Sequence, residues 1–364
     1  VWGEWTVSQA HDGEYTHKDK WRYAWDFILT ENGKQYENEG DLVEDYFCYG
    51  LPVCSPLSGK VVTVVDGIPD NTIGEANIEK NWGNTIIIDH SEGLFSALSH
   101  LKPGSIKVKE GEIVDKGDII AACGNSGRSP YPHLHFQFQT DDTIGGFTHK
   151  FPFAFYLEKR DEILELKTFD YPVVNSVVQN LEKHKLLAKA FEFKLGESYR
   201  FKYKLDGKTI DEEWTVKIDI YNAKYIESSA GGFAYIYNSG KVFYFSSFTG
   251  NKNCSLYYFY LSAMQAPLSF HEDLEWEDSY SVAELPTGFV RYLSEFFIFF
   301  GSFLSASGKF RYKKDEDKNS IVLESEIFLH GKNLFSWYGK DFKTSVNINT
   351  DGIIDWFSFK NGDD

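Results

Sequence analysis

Two histidines separated by one residue close the stretch Gly124-Asn125-Ser126-Gly127-Arg128-Ser129-Pro130-Tyr131-Pro132-His133-Leu134-His135-Phe136-Gln137-Phe138. Read as a turn feeding a strand, it puts His133, His135 and Gln137 on one face and Leu134, Phe136 and Phe138 on the other, because extended side chains alternate. The apolar face makes core and the histidine face makes a site. Two imidazoles about 6–7 Å apart along a strand are costly to bury without a partner, so they call for a metal, an acid or water. Zinc is one reading of this pair, and an exposed pair of sheet histidines is the other.

Candidates for the missing partners lie upstream. Tyr23-Ala24-Trp25-Asp26-Phe27-Ile28 has strand character and places the Asp26 carboxylate among aromatic residues, which is costly unless it meets a cation or hydrogen-bond donors. His17 precedes it in Thr16-His17-Lys18-Asp19, and His100 lies in Leu98-Ser99-His100-Leu101.

The elements that must carry these residues are strands. From Gly50 to Phe138 short β segments are broken by Gly59-Lys60, Asp66-Gly67, Glu92-Gly93, Glu110-Gly111 and Lys116-Gly117, which favours an antiparallel sheet over a βαβ fold. Aromatic residues make up 17% of the chain and there is one Met, a bias toward strands. Residues 30–47 read as a solvated acidic insertion or a substrate-facing loop.

Taken in order, the Thr-His and Tyr-Ala-x-Asp-Phe elements, Gly83-Asn84-Thr85-Ile86-Ile87-Ile88-Asp89-His90, the His100 segment and the Gly124-to-Phe136 run resemble the motifs of lysostaphin/LytM-type zinc endopeptidases, which cut peptide bonds in bacterial cell walls. The resemblance covers roughly residues 1–155. It implies the family's compact β fold, with Zn2+ in a groove held by His17, Asp26 and His135, and with His100 and His133 as the catalytic histidines. Three protein ligands with an open position are what catalytic zinc uses, and the residual positive charge lowers the pKa of a bound water toward ~7. By the resemblance, His100 and His133 serve as base for the water and as donor to the oxyanion or leaving amine, in an order that stays open.

The sequence departs from the pattern in two places. Eight residues separate His17 from Asp26, where the shortest family form has three, so His11 is a rival ligand. Leu98 replaces the aromatic residue often found two positions before the middle histidine, leaving a hydroxyl donor to come from Tyr131 or elsewhere. His90 reads as structural or exposed.

Beyond residue 155 the patterns carry less chemistry. Apolar positions between Pro172 and Ala190 come close to helical spacing and predict a linking helix starting near Asn175 or Ser176. From Phe191 onward alternating aromatic and polar runs, with Asp206-Gly207 and Asp351-Gly352 as turn signals, predict a second antiparallel domain, a sandwich or open barrel. The expected division is therefore a mainly β chain with a metallopeptidase domain at 1–160, a linker at 161–190 and a β-rich domain of unknown role at 191–364. His271-Glu272-Asp273-Leu274-Glu275 is not a His-Glu-x-x-His site and reads as an acidic loop. Phe296 to Phe300 is core, a pocket for an apolar ligand or a contact with the first domain.

Composition limits the partners. The chain has 364 residues, enough for two domains, and 37 basic against 54 acidic residues give a net charge of −17. That charge disfavours nucleic acid and anionic lipid, and leaves wall peptides with amino groups compatible. The longest apolar run, Phe296 to Leu304, is far short of the ~20 residues of a membrane helix, and the chain reads as soluble. It starts at Val1 rather than Met, which reads as a processed or cut chain from which a signal or membrane anchor could have been removed, consistent with an extracytoplasmic location. Four cysteines, Cys48, Cys54, Cys123 and Cys254, form no Cys-x-x-Cys. A Cys48–Cys54 bridge across Gly50 would suit an oxidising compartment, and buried free thiols are the alternative. A non-catalytic wall-binding or activator module, and a C-terminal carrier of lipid or small molecule, are the readings that compete with a peptidase.

Overall fold

The computed structural model describes residues 3–205, 208–285, 304–333 and 336–361. The chain is mainly β and divides into two units: Val1–Asp161 with Lys167–Asn180, and Glu162–Leu166 with Leu181–Asp364.

The first unit contains β1 (Glu4–Gln9), β2 (Ala24–Ile28), β3 (Pro52–Cys54), β4 (Gly59–Val65), β5 (Asn84–Asp89), β6 (Phe95–Leu101), β7 (Ile113–Val114), β8 (Ile119–Ala122), β9 (Leu134–Gln139), β10 (Phe153–Arg160), the second half of β11 (Ile163–Asp170) and β12 (Val177–Gln179). Its main sheet runs β10-β12-β1-β2-β9-β6-β5-β4-β7, each neighbouring pair antiparallel, and β3 pairs with β8 separately. One face of this sheet is core: Trp5 and Val7 of β1, Trp25 and Phe27 of β2, Leu98 of β6, and Leu134, Phe136 and Phe138 of β9 pack in one cluster. Burying an aromatic or Leu side chain of this kind is worth about 1.5–3 kcal/mol, so the parity of β2 and β9 is strongly set. In β9 the opposite parity, His135, Gln137 and Gln139, is also buried, so both faces of the strand are covered.

The expected linking helix is shorter than its spacing predicted. Only α1 (Lys185–Ala190) is helical, and Val177–Gln179 are a strand between β1 and β10. Two causes are local. Asn175 has φ +68°, outside the helical region, and its N–H donates to the Val7 carbonyl, while Val7 N–H donates to Ser176, which commits the segment to the β1 ladder.

The second unit carries two antiparallel sheets. The first joins β13 (Ser198–Leu205), β14 (Lys208–Ile218), β15 (Lys224–Ser228), β16 (Gly232–Asn238), β17 (Val242–Gly250) and β18 (Gln265–Pro267) in chain order. The second is a meander of β19 (Leu274–Ser279), β20 (Leu304–Asp315), β21 (Ser320–Gly331), β22 (Gly339–Ile348) and β23 (Ile354–Asn361). Leu164 and Glu165 pair in parallel with β19. The buried helix α2 (Ser255–Ser262) contacts both sheets, with Phe259 5.2 Å from Trp214 and 5.7 Å from Phe357.

Gly352, with φ +68°, turns β22 into β23 as the Asp351-Gly352 signal predicts. Asp206-Gly207 and Phe296 to Phe300 lie outside the described residues. His271 to Asp273 form a turn leading into β19. Among the described residues no helix is long and apolar enough to cross a membrane. All four cysteines are free and buried, so the Cys48–Cys54 bridge does not form. Cys48 Sγ instead donates to the Pro132 carbonyl at 3.2 Å, and its thiol partner is Cys123.

Candidate metal centre

Asp26 and His135 are direct register partners on β2 and β9, so the sheet itself brings carboxylate and imidazole together. Their neighbours in register, Trp25 with Phe136 and Phe27 with Leu134, face the core, which drives the polar pair to the other side. His135 Nδ1 lies 2.8 Å from Asp26 Oδ1. His17, on the loop between β1 and β2, brings Nε2 to 3.2 Å from the same oxygen.

Gln9 holds this loop. A bulge between Val7 and Gln9 shifts the β1 register by one residue, which moves Gln9 off the core parity and opposite Asp26. Its Nε2 donates to Asp26 Oδ2 at 2.7 Å and to Thr16 Oγ1 at 2.8 Å, while its Oε1 accepts from the N–H groups of Tyr15 and Thr16.

The second pair of histidines stands beside these three. His133 immediately precedes β9 and brings Nε2 to 3.7 Å from Asp26 Oδ1. His100 is on β6 with its ring 4.8 Å from that of His133 and 5.7 Å from that of His135. It is buried and has φ +60°, a left-handed conformation that costs a non-glycine residue about 1–3 kcal/mol. The backbone is strained to aim one imidazole.

Each ring has a defined proton. His17 Nδ1–H donates to the Ala10 carbonyl, His100 Nδ1–H to Ser126 and His133 Nδ1–H to Tyr131, at 2.9, 2.8 and 2.9 Å. His135 is reversed, since Nε2–H donates to Gln137 Oε1 at 3.1 Å. The remaining nitrogens, His17 Nε2, His133 Nε2 and His135 Nδ1, all face one carboxylate oxygen, at 3.2, 3.7 and 2.8 Å. That convergence is satisfied by protons on the rings or by a metal ion in their place.

The donor set fits zinc. One atom from each of His17, Asp26 and His135 lies within 4.8 Å of the others, all three residues are buried, and two nitrogens with one oxygen suit that ion. Ala10 and Gln137 hold the outer nitrogens of His17 and His135, the kind of hydrogen bond that would orient both rings toward an ion.

The charges follow from the same contacts. Burial opposes ionisation of Asp26, yet His133, His135 and His17 outweigh it and hold the carboxyl well below its ordinary value. Burial would lower the pKa of His17, and the Asp26 hydrogen bond and charge overcome this and raise it. Burial dominates at His100, with His133 and His135 adding to it, so its pKa falls well below the ordinary value. His133 is also lowered, by burial against the pull of Asp26. Both His100 and His133 are therefore neutral at pH 7 and able to accept a proton.

A cavity of about 650 Å³ opens over the centre, lined by all five of these residues with Trp21, Trp82, Tyr15, Tyr131 and Arg128. The Trp82 ring packs edge-on to both His135 and Trp21.

The structure thus brings together His17, Asp26, His100, His133 and His135. It excludes His11, the rival ligand, whose ring packs among Tyr23, Trp25 and Tyr171. His90 is held by the Ser58 carbonyl and Ser96 Oγ, as a structural residue.

Residues 45–144, which include His100, His133 and His135, match the family model "Peptidase family M23". The first unit thus carries an M23-type domain match over these residues. His17 and Asp26 lie upstream of the matched span, on the loop before β2 and on β2 itself.

Endolysin 2638A of Staphylococcus phage 2638A is 28% identical over 137 residues, 35% of this chain and 28% of that protein. The peptidoglycan DD-endopeptidase ShyB of Vibrio cholerae is 28% identical over 144 residues, 40% of this chain and 26% of that protein. The matched stretch spans about a quarter of the length of these curated relatives. Among solved structures, the catalytic domain of lysostaphin from Staphylococcus simulans is 21% identical, covers 41% of this chain and 87% of that chain, and has a TM-score of 0.26.

Sequence reading missed Gln9, Trp82, Ser126 and Gln139. Gln9 continues the Trp5, Val7 parity and reads as core until the bulge is known. Gln139 carried a signal, being the third polar residue on the histidine face of β9.

Proposed function

We propose that the M23 unit is a zinc endopeptidase that hydrolyses peptide bonds in bacterial peptidoglycan, acting outside the cytoplasm. The observation that carries this reading is the convergence of His17, Asp26 and His135 within 4.8 Å, with two further imidazoles beside them. Wall peptides as substrate rest on the relatives, one named an endolysin and another a peptidoglycan DD-endopeptidase. The open cavity and its aromatic walls suit an extended peptide.

When bound, zinc supplies Lewis acidity toward water and the scissile carbonyl. His133 and His100, neutral and with Nε2 turned into the cavity, divide the proton transfers: one takes a proton from the attacking water, and the protonated ring supports the developing oxyanion or the leaving amine. Asp26 stays ionised and limits the net positive charge of the centre. Ser126 and Tyr131 carbonyls hold the two rings in the tautomer this requires. The unit at the C-terminal side is proposed to position or attach the enzyme.

The test is zinc content of the purified chain, followed by digestion of defined muropeptides by wild type and His133→Ala. Stoichiometric zinc with cleavage abolished only in the variant supports the reading. Zinc without cleavage of any wall type replaces it with a wall-binding module, and absence of zinc overturns it.

A further inference from the structure

β9 ends in a row of three polar side chains on one face, His135, Gln137 and Gln139, and the two glutamines are wholly buried. Buried amides are tolerated only when both ends are paired, so the direction of each can be read from its partners. Gln139 Nε2 donates to the carbonyls of Asp141 and Thr143, at 2.7 and 2.9 Å. Carbonyls cannot donate, so the amide cannot turn round, and Oε1 is left facing Gln137. Gln137 Nε2 donates to that oxygen at 2.7 Å, which turns its own Oε1 toward His135. His135 Nε2 must then carry a proton, and Nδ1 faces the centre, 2.8 Å from Asp26 Oδ1.

We infer that Gln139 is a positioning residue: with Gln137 it forms an amide relay by which the turn at Asp141 and Thr143 fixes the tautomer of His135. The inference rests on the metal reading only for its consequence, a ligand nitrogen held ready before any ion arrives. The turn is itself anchored, since Thr143 N–H donates to Asp141 Oδ1, Gly146 N–H to the Thr143 carbonyl, and Trp21 Nε1 to the Gly145 carbonyl. A rotation of either amide would set two like groups against each other somewhere along the row, so the three side chains switch together or not at all.

Two substitutions separate relay from support. Gln139→Glu keeps an acceptor for Gln137 and loses the donors to the turn. Gln139→Leu loses both, and Gln139→Met serves in its place should the Leu variant not fold. Imidazole 15N shifts of the zinc-free full chain report the tautomer, and competition with a chromophoric chelator reports the zinc dissociation constant. Wild type and Gln139→Glu are expected to keep His135 Nε2 protonated, with similar zinc affinity. The apolar variant is expected to populate Nδ1–H and to bind zinc roughly 10-fold more weakly. Equal tautomer and affinity in all three, or equal losses in both variants, overturns the relay. If wild type binds no zinc, the metal reading fails while the 15N shifts still decide the relay.

Discussion

Gln9 Nε2 donates to Oδ2 of Asp26, the oxygen turned away from the histidines, at 2.7 Å. The carboxylate is thereby shared, one oxygen fixed by the amide and the other left to His17 and His135. Replacing Gln9 by Leu removes this donor and the acceptor that holds Tyr15 and Thr16, so both Asp26 and the His17 loop are released. Zinc affinity is expected to drop about 10- to 100-fold, the usual effect of losing an outer-shell partner, and chelator competition measures it.

The uncoordinated histidines should separate chemistry from metal binding. His133→Ala and His100→Asn are expected to retain stoichiometric zinc and to lose about 10²- to 10⁴-fold in kcat on a muropeptide substrate. Asn is chosen at position 100 because it tolerates the positive φ there. Metal analysis beside turnover assays checks both, and loss of zinc from either variant would count against the assigned ligand set.

His11, outside the candidate ligand set, makes the first unit acid-sensitive. Burial, assisted by Lys150, lowers its pKa from 6.5 to about 4, and its Nε2 is buried without a hydrogen-bond partner. Because the folded value is depressed, the unfolded chain binds the proton first. Stability is lost as pH falls below 6.5, and the loss is complete below about 4. Partial exposure of the ring screens the full linkage of about 3 kcal/mol, leaving roughly 1 kcal/mol. Denaturant titrations from pH 7 to 4 should show a shallower decline for His11→Phe, which keeps the aromatic packing.

Gly145 has φ +69°, and a Cβ there would meet Trp82 Nε1 at 2.5 Å. Gly145→Ala is expected to destabilise the chain by about 1–3 kcal/mol and to push Trp82 off the edge of His135. A thermal melt and the tryptophan emission of the folded variant report the two effects separately.

Thiol counting tests the cysteine arrangement. Four thiols should react after unfolding in non-reducing denaturant, and none rapidly in the folded chain, because all four are buried. A Cys48–Cys54 bridge would reduce the count to two.

Much of the centre was legible because period-two alternation assigns faces without knowledge of the fold. His133-Leu134-His135-Phe136 and Trp25-Asp26-Phe27 each state which residue leaves the core. What alternation cannot state is register, so the pairing of Asp26 with His135 appears only in the sheet. It also fails at irregularities. The bulge beside Gln9 reverses a parity that Trp5 and Val7 had established. Apolar spacing from Val173 to Leu187 imitated a helix where hydrogen bonds to Val7 made a strand. The Cys48–Cys54 pairing rested on separation along the chain, whereas Cys48 shares a hydrogen bond with the thiol of Cys123.

The cross-strand partnership of Asp26 and His135 makes the backbone ladder a proofreader of the candidate centre. A slip of one residue between β2 and β9 would put Trp25, Phe27, Leu134 or Phe136 in the place of Asp26 or His135, and would drive a charged or imidazole group into hydrocarbon. Misassembled sheets are thus penalised by the same side chains that the correctly zipped sheet gathers at the centre.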